Sequence, residues 1–323
     1  MPDQPLLEVN GVSKRFQLRK DLLSWRAASF FALSEISFDL AAGETLCVVG
    51  ESGCGKSTLA RILASLMPAT DGEIRFDGEP IGGFGGRRLK DVRKSIQIVF
   101  QDPYSSLNPR LTLGRIIAEP LENFTVMGAA ERRARSQAAL EKVGLRASDV
   151  DRYPAQLSGG QRQRVGIARA IVAEPRIVIA DEAVSALDVS VKAQILNLLL
   201  DLQQELGLAY VFITHDLGVV ESIADRIIVM YLGRIVEVGR VDQVLGAPRH
   251  PYTQMLLDSV PKADPHARID LKWVGTEIPS VMNPPSGCAF RTRCPKAAEI
   301  CRTTPPVRTD AHGNRAACHF APD

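Results

Sequence analysis

The sequence predicts an α/β fold organised on a largely parallel sheet, and three observations carry the prediction. Short runs that are apolar at nearly every position (Thr45–Val49, Ile177–Ala180 and Tyr210–Ile213) alternate with stretches of helical period, Val189–Gly207 above all. Such runs suit strands covered on both faces, and strands that alternate with helices pair in parallel. The first run feeds into Gly50-Glu51-Ser52-Gly53-Cys54-Gly55-Lys56-Ser57-Thr58, after which Thr58–Leu63 reads as the start of a helix. That strand–loop–helix order is the setting a G-x-x-x-x-G-K-[ST] phosphate loop requires.

Taken in order, the other elements fill in around that loop. Residues 6–45 read as mostly β, with Leu6–Val9 and Ile36–Leu40 alternating like half-buried strands. The basic, aromatic insert at 19–31 fits no element. Gly72–Gly78 reads as a strand with a turn at each end, the Gly- and Arg-rich stretch 82–90 as a loop, and Ile96–Phe100 as a short buried strand leading to Gln101. Over 102–170 the strand signals stop. There Ile116–Phe124, Ala129–Lys142 and Gln161–Ala173 read as helices, broken apart by Pro103, Pro109, Pro120 and Pro154. The run Glu131–Arg135 belongs on a solvated helix face. Strand–helix alternation returns over 177–245, with a helix at Leu217–Ala224 and two strands in Arg226–Val238 joined at Gly233. From 246 on, the chain is loop-rich. Eleven of its 20 prolines lie at 248–323, so little core of its own is expected there.

Composition sets the outer limits. The 323 residues, 45% hydrophobic and 24% charged, are ample for one large domain or two modest ones. A formal net charge of +2 argues neither for nor against nucleic acid, but the chain lacks a basic face strong enough to suggest a polyanion, so nucleic acid is not an expected partner. No run reaches the ~18 apolar residues of a membrane span. Met1–Pro5 lacks the basic and apolar regions of a secretory signal, which leaves the cytosol or the cytosolic side of a membrane protein as the expected location.

The phosphate loop defines the chemistry. Its glycines let the backbone curl so that N–H groups face a polyphosphate, and the helix that follows adds partial positive charge. Lys56 can reach the β- and γ-phosphates, and the Ser57 hydroxyl can hold Mg²⁺. The competing reading is a glycine-rich turn with a chance lysine. It weakens at Asp181-Glu182, two carboxylates ending an apolar strand: Asp181 suits Mg²⁺, and Glu182 suits activation of a water. Leu157-Ser158-Gly159-Gly160-Gln161 opens a helix and is either a second anion site or an ordinary serine cap.

Six segments, Gly50–Thr58, Gln101, Leu157–Gln161, Ile177–Glu182, Ser185–Asp188 and Ile213–Asp216, stand in the order and spacing of ABC-transporter nucleotide-binding domains. Residues 6–245 resemble that family, whose core is a P-loop NTPase with a β-rich N-terminal part and an inserted helical subdomain, here 102–170. Val99–Pro109, Pro248–Thr253 and the cysteine-bearing extension over 246–323 resemble the dipeptide/oligopeptide importer branch, and within it the second ATPase subunit. The resemblance implies two domains dimerised head to tail around two ATP molecules. Phe16 would stack on adenine, with Phe30 and Phe31 as rivals. Gly50, Ser52, Gly53, Gly55, Lys56, Ser57 and Thr58 would hold phosphates and Mg²⁺. Gln101 would touch metal and water. Ser158, Gly159, Gly160 and Gln161 would face the partner's ATP, and Asp188 the dimer seam. Asp181 would support Mg²⁺, Glu182 would act as base, and His215 would contact the γ-phosphate. Ala183 stands where the family commonly has proline. Implied partners are a second ATPase subunit, favoured as a paralogue, two membrane-spanning permease subunits and a periplasmic or lipid-anchored substrate-binding protein. The implied location is the cytoplasmic face of the inner membrane.

Four of the six cysteines crowd the last 36 residues as Cys288-x5-Cys294-x6-Cys301-x16-Cys318. Four thiolates suit Zn²⁺ or an iron–sulfur cluster. The spacing departs from zinc ribbons, and the tail resembles that of some members of the peptide-importer branch that carry a [4Fe–4S] cluster. Unliganded thiols are the third reading, and His319 is an alternative ligand. The expected function is ATP hydrolysis that powers import of di- or oligopeptides. Nickel, glutathione or other small solutes stay open as cargo. A soluble ABC protein acting on ribosomes or DNA is disfavoured by the single phosphate loop and the lack of heptads, and a non-catalytic regulatory subunit by Glu182.

Overall fold

The computed structural model describes the chain apart from residues 1–3, 18–28, 82–85, 186, 261–276, 278, 312 and 323, so most of the 19–31 insert lies outside the described residues. In chain order the strands are β1 (Leu7–Gln17), β2 (Ser29–Leu40), β3 (Thr45–Val49), β4 (Asp71–Phe76), β5 (Glu79–Pro80), β6 (Ile96–Val99), β7 (Ile177–Asp181), β8 (Ala209–Ile213), β9 (Arg226–Tyr231), β10 (Arg234–Arg240), β11 (Thr309–Ala311) and β12 (Asn314–Ala316). The helices are α1 (Lys56–Leu63), α2 (Gly86–Ser95), α3 (Pro103–Ser106), α4 (Leu113–Phe124), α5 (Ala129–Lys142), α6 (Gly159–Ile171), α7 (Val189–Leu206), α8 (Leu217–Ile223), α9 (Val241–Gly246), α10 (Pro251–Asp258) and α11 (Ile300–Thr303).

Among the described residues the strands form two sheets. The antiparallel one runs β2-β1-β4-β5, and the larger one runs β11-β12-β10-β9-β3-β8-β7-β6. From β9 to β6 every pairing is parallel. β10, β12 and β11 extend the other edge antiparallel. The uniform apolarity of the parallel strands follows from burial on both faces. In β7, Ile177 and Ile179 join the core shared with α1 and the antiparallel sheet, whereas Val178 and Ala180 join the core under α4, α5, α6 and α7. β8 repeats the alternation, with Val211 and Ile213 on the first side and Tyr210 and Phe212 on the second. Truncating Phe212, 1% exposed, to alanine costs about 3–5 kcal/mol.

Several local expectations need correction. The end of the stretch read as a loop at 82–90 is helical, because α2 begins at Gly86. Its straight-chain Arg, Lys and Leu residues favour helix, and Val92 anchors it in the core. The prolines also act otherwise than as breakers. Pro103 starts α3 and Pro154 starts a 3₁₀ turn, both at the first helical position, where the missing N–H costs nothing. Pro120 lies inside α4, which continues to Phe124 with Ile116, Ile117, Pro120 and Leu121 all buried. The Glu131–Arg135 run does lie on a largely solvated face of α5.

The C-terminal region packs into the helix-side core through Tyr252, Met255 and Phe290. Its α10 and the β11–β12 hairpin were not foreseen. A buried carboxylate ties them to β10. Glu237, 0% exposed, accepts from the Arg249 N–H (2.8 Å), the His250 N–H (2.9 Å) and Asn314 Nδ2 (3.0 Å). The Arg249 guanidinium in turn donates to the carbonyls of Pro322 (2.6 Å), Thr309 (3.0 Å) and Asn314 (2.6 Å). Charge-assisted bonds of this kind offset the desolvation of both groups.

Candidate nucleotide-binding site

Four parallel strands point their C-terminal ends to one edge of the sheet, and each delivers part of the site. β3 runs into the phosphate loop, β6 toward Gln101, β7 ends in Asp181-Glu182, and β8 leads to Thr214-His215. Register brings these ends level: Val48 lies opposite Ile213, Asp181 opposite Ile213, and Val99 opposite Ala180. In open α/β sheets, ligands bind at this edge.

The phosphate loop is held in a shape that glycine permits. Gly50 (φ +154°) lies so close to β9 that a Cβ there would sit 2.2 Å from the Met230 carbonyl oxygen. Gly55 (φ +104°) stands before α1 with equally little room, 2.5 Å from the Ala32 carbonyl oxygen. Lys56 is buried, and its Nζ donates to the Gly50 carbonyl (2.6 Å) and the Glu51 carbonyl (3.0 Å). Ser57 Oγ donates to Asp181 Oδ1 at 3.2 Å. Burial pushes the Asp181 carboxyl above its usual range, and the Ser57 hydroxyl opposes that rise. Ser57 and Asp181 offer hard oxygen donors, the kind Mg²⁺ takes.

Glu182 collects the other expected catalytic groups. Gln101 Nε2 donates to Glu182 Oε2 at 2.7 Å, and His215 Nδ1 lies 3.6 Å from Glu182 Oε1. Glu182 has φ +49°, a left-handed conformation costing about 1–2 kcal/mol for a residue with a side chain. Its N–H bonds to the Ile213 carbonyl (2.9 Å), and its own carbonyl accepts from the Ser185 N–H (3.1 Å) and hydroxyl (2.9 Å). The turn is therefore closed without a proline at Ala183.

A cleft of about 430 Å³ gathers Phe16, Ser52, Gly53, Gly55, Lys56, Ser57, Thr58, Gln101 and Glu182. Phe16 and Phe30 both line it, with ring centroids 5.8 Å apart, so both stand where an adenine could stack. Phe31 lines an adjacent cavity instead. Ser158, Gly159, Gly160, Gln161 and Asp188 do not line the cleft. Ser158 caps α6 in a reciprocal box with Gln161, each side chain taking the other's N–H (3.3 and 3.0 Å). Gly160 packs against Val191, and Asp188 stands exposed before α7.

The four C-terminal cysteines are free thiols. Among the described residues, no group of three or more His, Cys, Asp or Glu side chains is placed to hold a metal ion, so neither the zinc nor the iron–sulfur reading is supported. Burial raises the thiols of Cys288, Cys294 (to about 11) and Cys318, which disfavours thiolates in the free protein. The four do lie within electrostatic reach of one another, since Cys301 and Cys318 add to the rise at both Cys288 and Cys294. His319 Nε2 is engaged with the Thr304 carbonyl at 2.9 Å.

The structure adds residues that sequence reasoning missed. Glu51 of the phosphate loop forms a two-pronged ion pair with Arg293, and its N–H donates to Tyr252 Oη at 2.8 Å. No short-range signal links positions this far apart. The only hint was Pro248–Thr253, noted as a family likeness.

The ABC transporter family model matches residues 33–185, and that of the oligopeptide/dipeptide transporter C-terminal region matches 236–301. A probable peptide ABC transporter ATP-binding protein of Sinorhizobium fredii is 51% identical over 316 residues, covering 97% of this chain and 89% of that protein. The dipeptide transport ATP-binding protein DppF of Escherichia coli is 49% identical over 99% of this chain and 95% of its own. A dimeric ATP-binding cassette in a post-hydrolysis state with ADP and Pi has 31% identity and a TM-score of 0.64, over 73% of this chain and 98% of that one. With nearly full-length relatives at about half identity, and with the phosphate loop, Gln101 and Glu182 lining one cleft and Asp181 joined to it through Ser57, the chain belongs to the ATP-hydrolysing, ATP-binding subunits of ABC transporters, in the branch that carries the oligopeptide/dipeptide transporter C-terminal region.

Proposed function

We propose that this cassette binds Mg–ATP in the cleft between Phe16 and Glu182 and hydrolyses it to drive di- or oligopeptide import through separate membrane subunits. The observation that carries the reading is Glu182, bonded to Gln101 and flanked by His215, one residue beyond the Asp181 that meets Ser57. Lys56 exchanges the loop carbonyls for β- and γ-phosphate oxygens. Glu182 takes the proton of a water that attacks the γ-phosphorus, Gln101 orients that water, and His215 contacts the γ-phosphate. Mg²⁺ held by Ser57 and Asp181 would screen charge as the phosphoryl group transfers. Ser158 and Gly160, outside this cleft, serve the ATP of a second cassette, and Asp188 lies at the seam between the two.

Relatives named for peptide or dipeptide transport support peptides as the cargo. A role in an importer calls for membrane permease subunits and a substrate-binding protein as partners, and we infer that the permeases are two and the second cassette is a paralogue. No helix among the described residues is long and apolar enough to cross a membrane, which fits peripheral attachment at the cytoplasmic face. Cys288, Cys294, Cys301 and Cys318 are the residues that would hold a [4Fe–4S] cluster, although the described residues include no ready-made group for a metal ion. Iron and sulfide in stoichiometric amounts in anaerobically purified protein support this, and their absence counts against it.

The functional test is uptake of a labelled dipeptide by cells lacking the gene. Wild type restores uptake and Lys56→Ala does not. Equal restoration by both contradicts the proposal.

A further inference from the structure

The phosphate loop is braced from outside its own motif. The peptide between Gly50 and Glu51 is held at both ends: its carbonyl accepts from Lys56 Nζ (2.6 Å), and its N–H donates to Tyr252 Oη (2.8 Å). The Glu51 side chain is fixed as well. Arg293 Nη1 meets Oε2 at 2.6 Å, and Nη2 meets Oε1 at 2.9 Å.

This pair is not an ordinary surface ion pair. The side chains are 7% and 23% exposed, and the guanidinium lies 5.8 Å from the ring centroids of both Tyr231 and Phe290. Arg293 Nη2 also approaches Met255 Sδ at 3.4 Å. Tyr252 is fully buried, with its ring centroid 4.7 Å from that of Tyr231 and 5.4 Å from that of Phe290. Both braces come from the C-terminal region, 201 and 242 positions beyond Glu51. Arg293 directly precedes Cys294, and its N–H donates to the Phe290 carbonyl at 3.0 Å.

We propose that Tyr252 and Arg293 are positioning residues that pre-set the phosphate loop for nucleotide by locking the Gly50–Glu51 peptide and the Glu51 carboxylate. The proposal rests on the reading that Gly50–Thr58 holds ATP. The locked peptide directs the Gly50 carbonyl at the Lys56 ammonium, and the Glu51 carbonyl that follows it meets the same ammonium, so the lysine is already in place when phosphate arrives. Without the brace the loop must be ordered by ATP itself, which weakens binding. Bound ATP supplies that order in turn, so turnover at saturation changes little.

The test uses the full-length protein, with fluorescent-nucleotide titration and steady-state kinetics. Tyr252→Phe removes one hydroxyl and keeps the ring packing. Arg293→Met keeps length and removes charge, and Arg293→Lys restores charge without the two-pronged fork. The expected result is a Kd and KM for ATP raised about tenfold in Tyr252→Phe and Arg293→Met, as suits the loss of one strong hydrogen bond, with kcat within about twofold. Arg293→Lys falls between, and the double variant is less than additive because both residues act on Glu51. A lowered melting temperature with reduced kcat and unchanged KM is the signature of mere packing and overturns the proposal. Lys56→Ala separates the two readings. Loss of binding there, with wild-type affinity in the brace variants, overturns the brace alone. Wild-type affinity in Lys56→Ala overturns the loop reading and the brace with it.

Discussion

The sheet edge that carries Lys56, Asp181, Glu182 and His215 and the C-terminal region that carries Tyr252 and Arg293 meet at one residue, Glu51, yet are specified differently. The edge is assembled from strand-to-loop junctions, each with its own local pattern. The C-terminal region has little regular structure. Besides the packing of Tyr252, Met255 and Phe290 into the core, it is held by single polar contacts: Glu237 under Arg249 and His250, Arg249 under three carbonyls, and Arg293 on Glu51. Local pattern builds the chemistry, and tertiary contact holds it in place.

The largest effect expected from this contrast is functional and lies at the edge. Lys56→Ala removes the one buried ammonium in the phosphate loop, and ATP-dependent turnover should fall by roughly a hundredfold or more in a phosphate-release assay, with the melting temperature little changed. The largest structural effect lies in the other region. Glu237→Leu leaves three donors without their acceptor in a buried place. It should cost about 3 kcal/mol or more, read as a lower urea midpoint and as early protease cleavage beyond residue 246.

That second outcome was not foreseeable from sequence, whereas the first was. The parallel core was legible because burial on both faces writes itself into continuous apolar runs, and the loop because its glycines and lysine are adjacent. Asp181 and Glu182 were legible as a strand end. Gly86–Lys90 was misread as loop because glycines and arginines carry no strong apolar period, and one buried Val92 decides the matter. Pro103 and Pro154 were misread because proline has the same local sign at a helix start as at a break. Arg293 was invisible because an ion pair spanning 242 positions leaves no local trace, and Tyr252 stood in the noted segment Pro248–Thr253 with nothing there to tie it to Glu51, 201 positions away.

A smaller effect concerns pH. His250 is buried, which lowers its pKa from 6.5 to about 3, and its Nδ1 accepts the Tyr252 N–H at 3.0 Å. The folded state keeps it neutral while the unfolded state protonates it, so the unfolded chain binds more protons between pH 6.5 and about 3. Stability from this group is therefore complete above pH 6.5 and falls with acidification by up to about 1.4 kcal/mol per pH unit. His250→Asn keeps a capping acceptor and removes the titration. Its melting temperature should fall less steeply than that of the wild type over that window, and parallel curves would assign the acid sensitivity elsewhere. The smallest effect belongs to the solvated face of α5. Arg133→Ala breaks an exposed pair with Asp151 and should leave the melting temperature within measurement error.

The measurement that tests the account most directly is hydrolysis by Glu182→Gln, with ATP affinity determined on the same preparation. The substitution keeps the shape that Gln101 and His215 surround and removes only the capacity to take a proton. The account predicts wild-type ATP affinity with turnover reduced by roughly a hundred- to ten-thousandfold. Undiminished turnover at equal affinity would contradict it, since the base would then lie elsewhere.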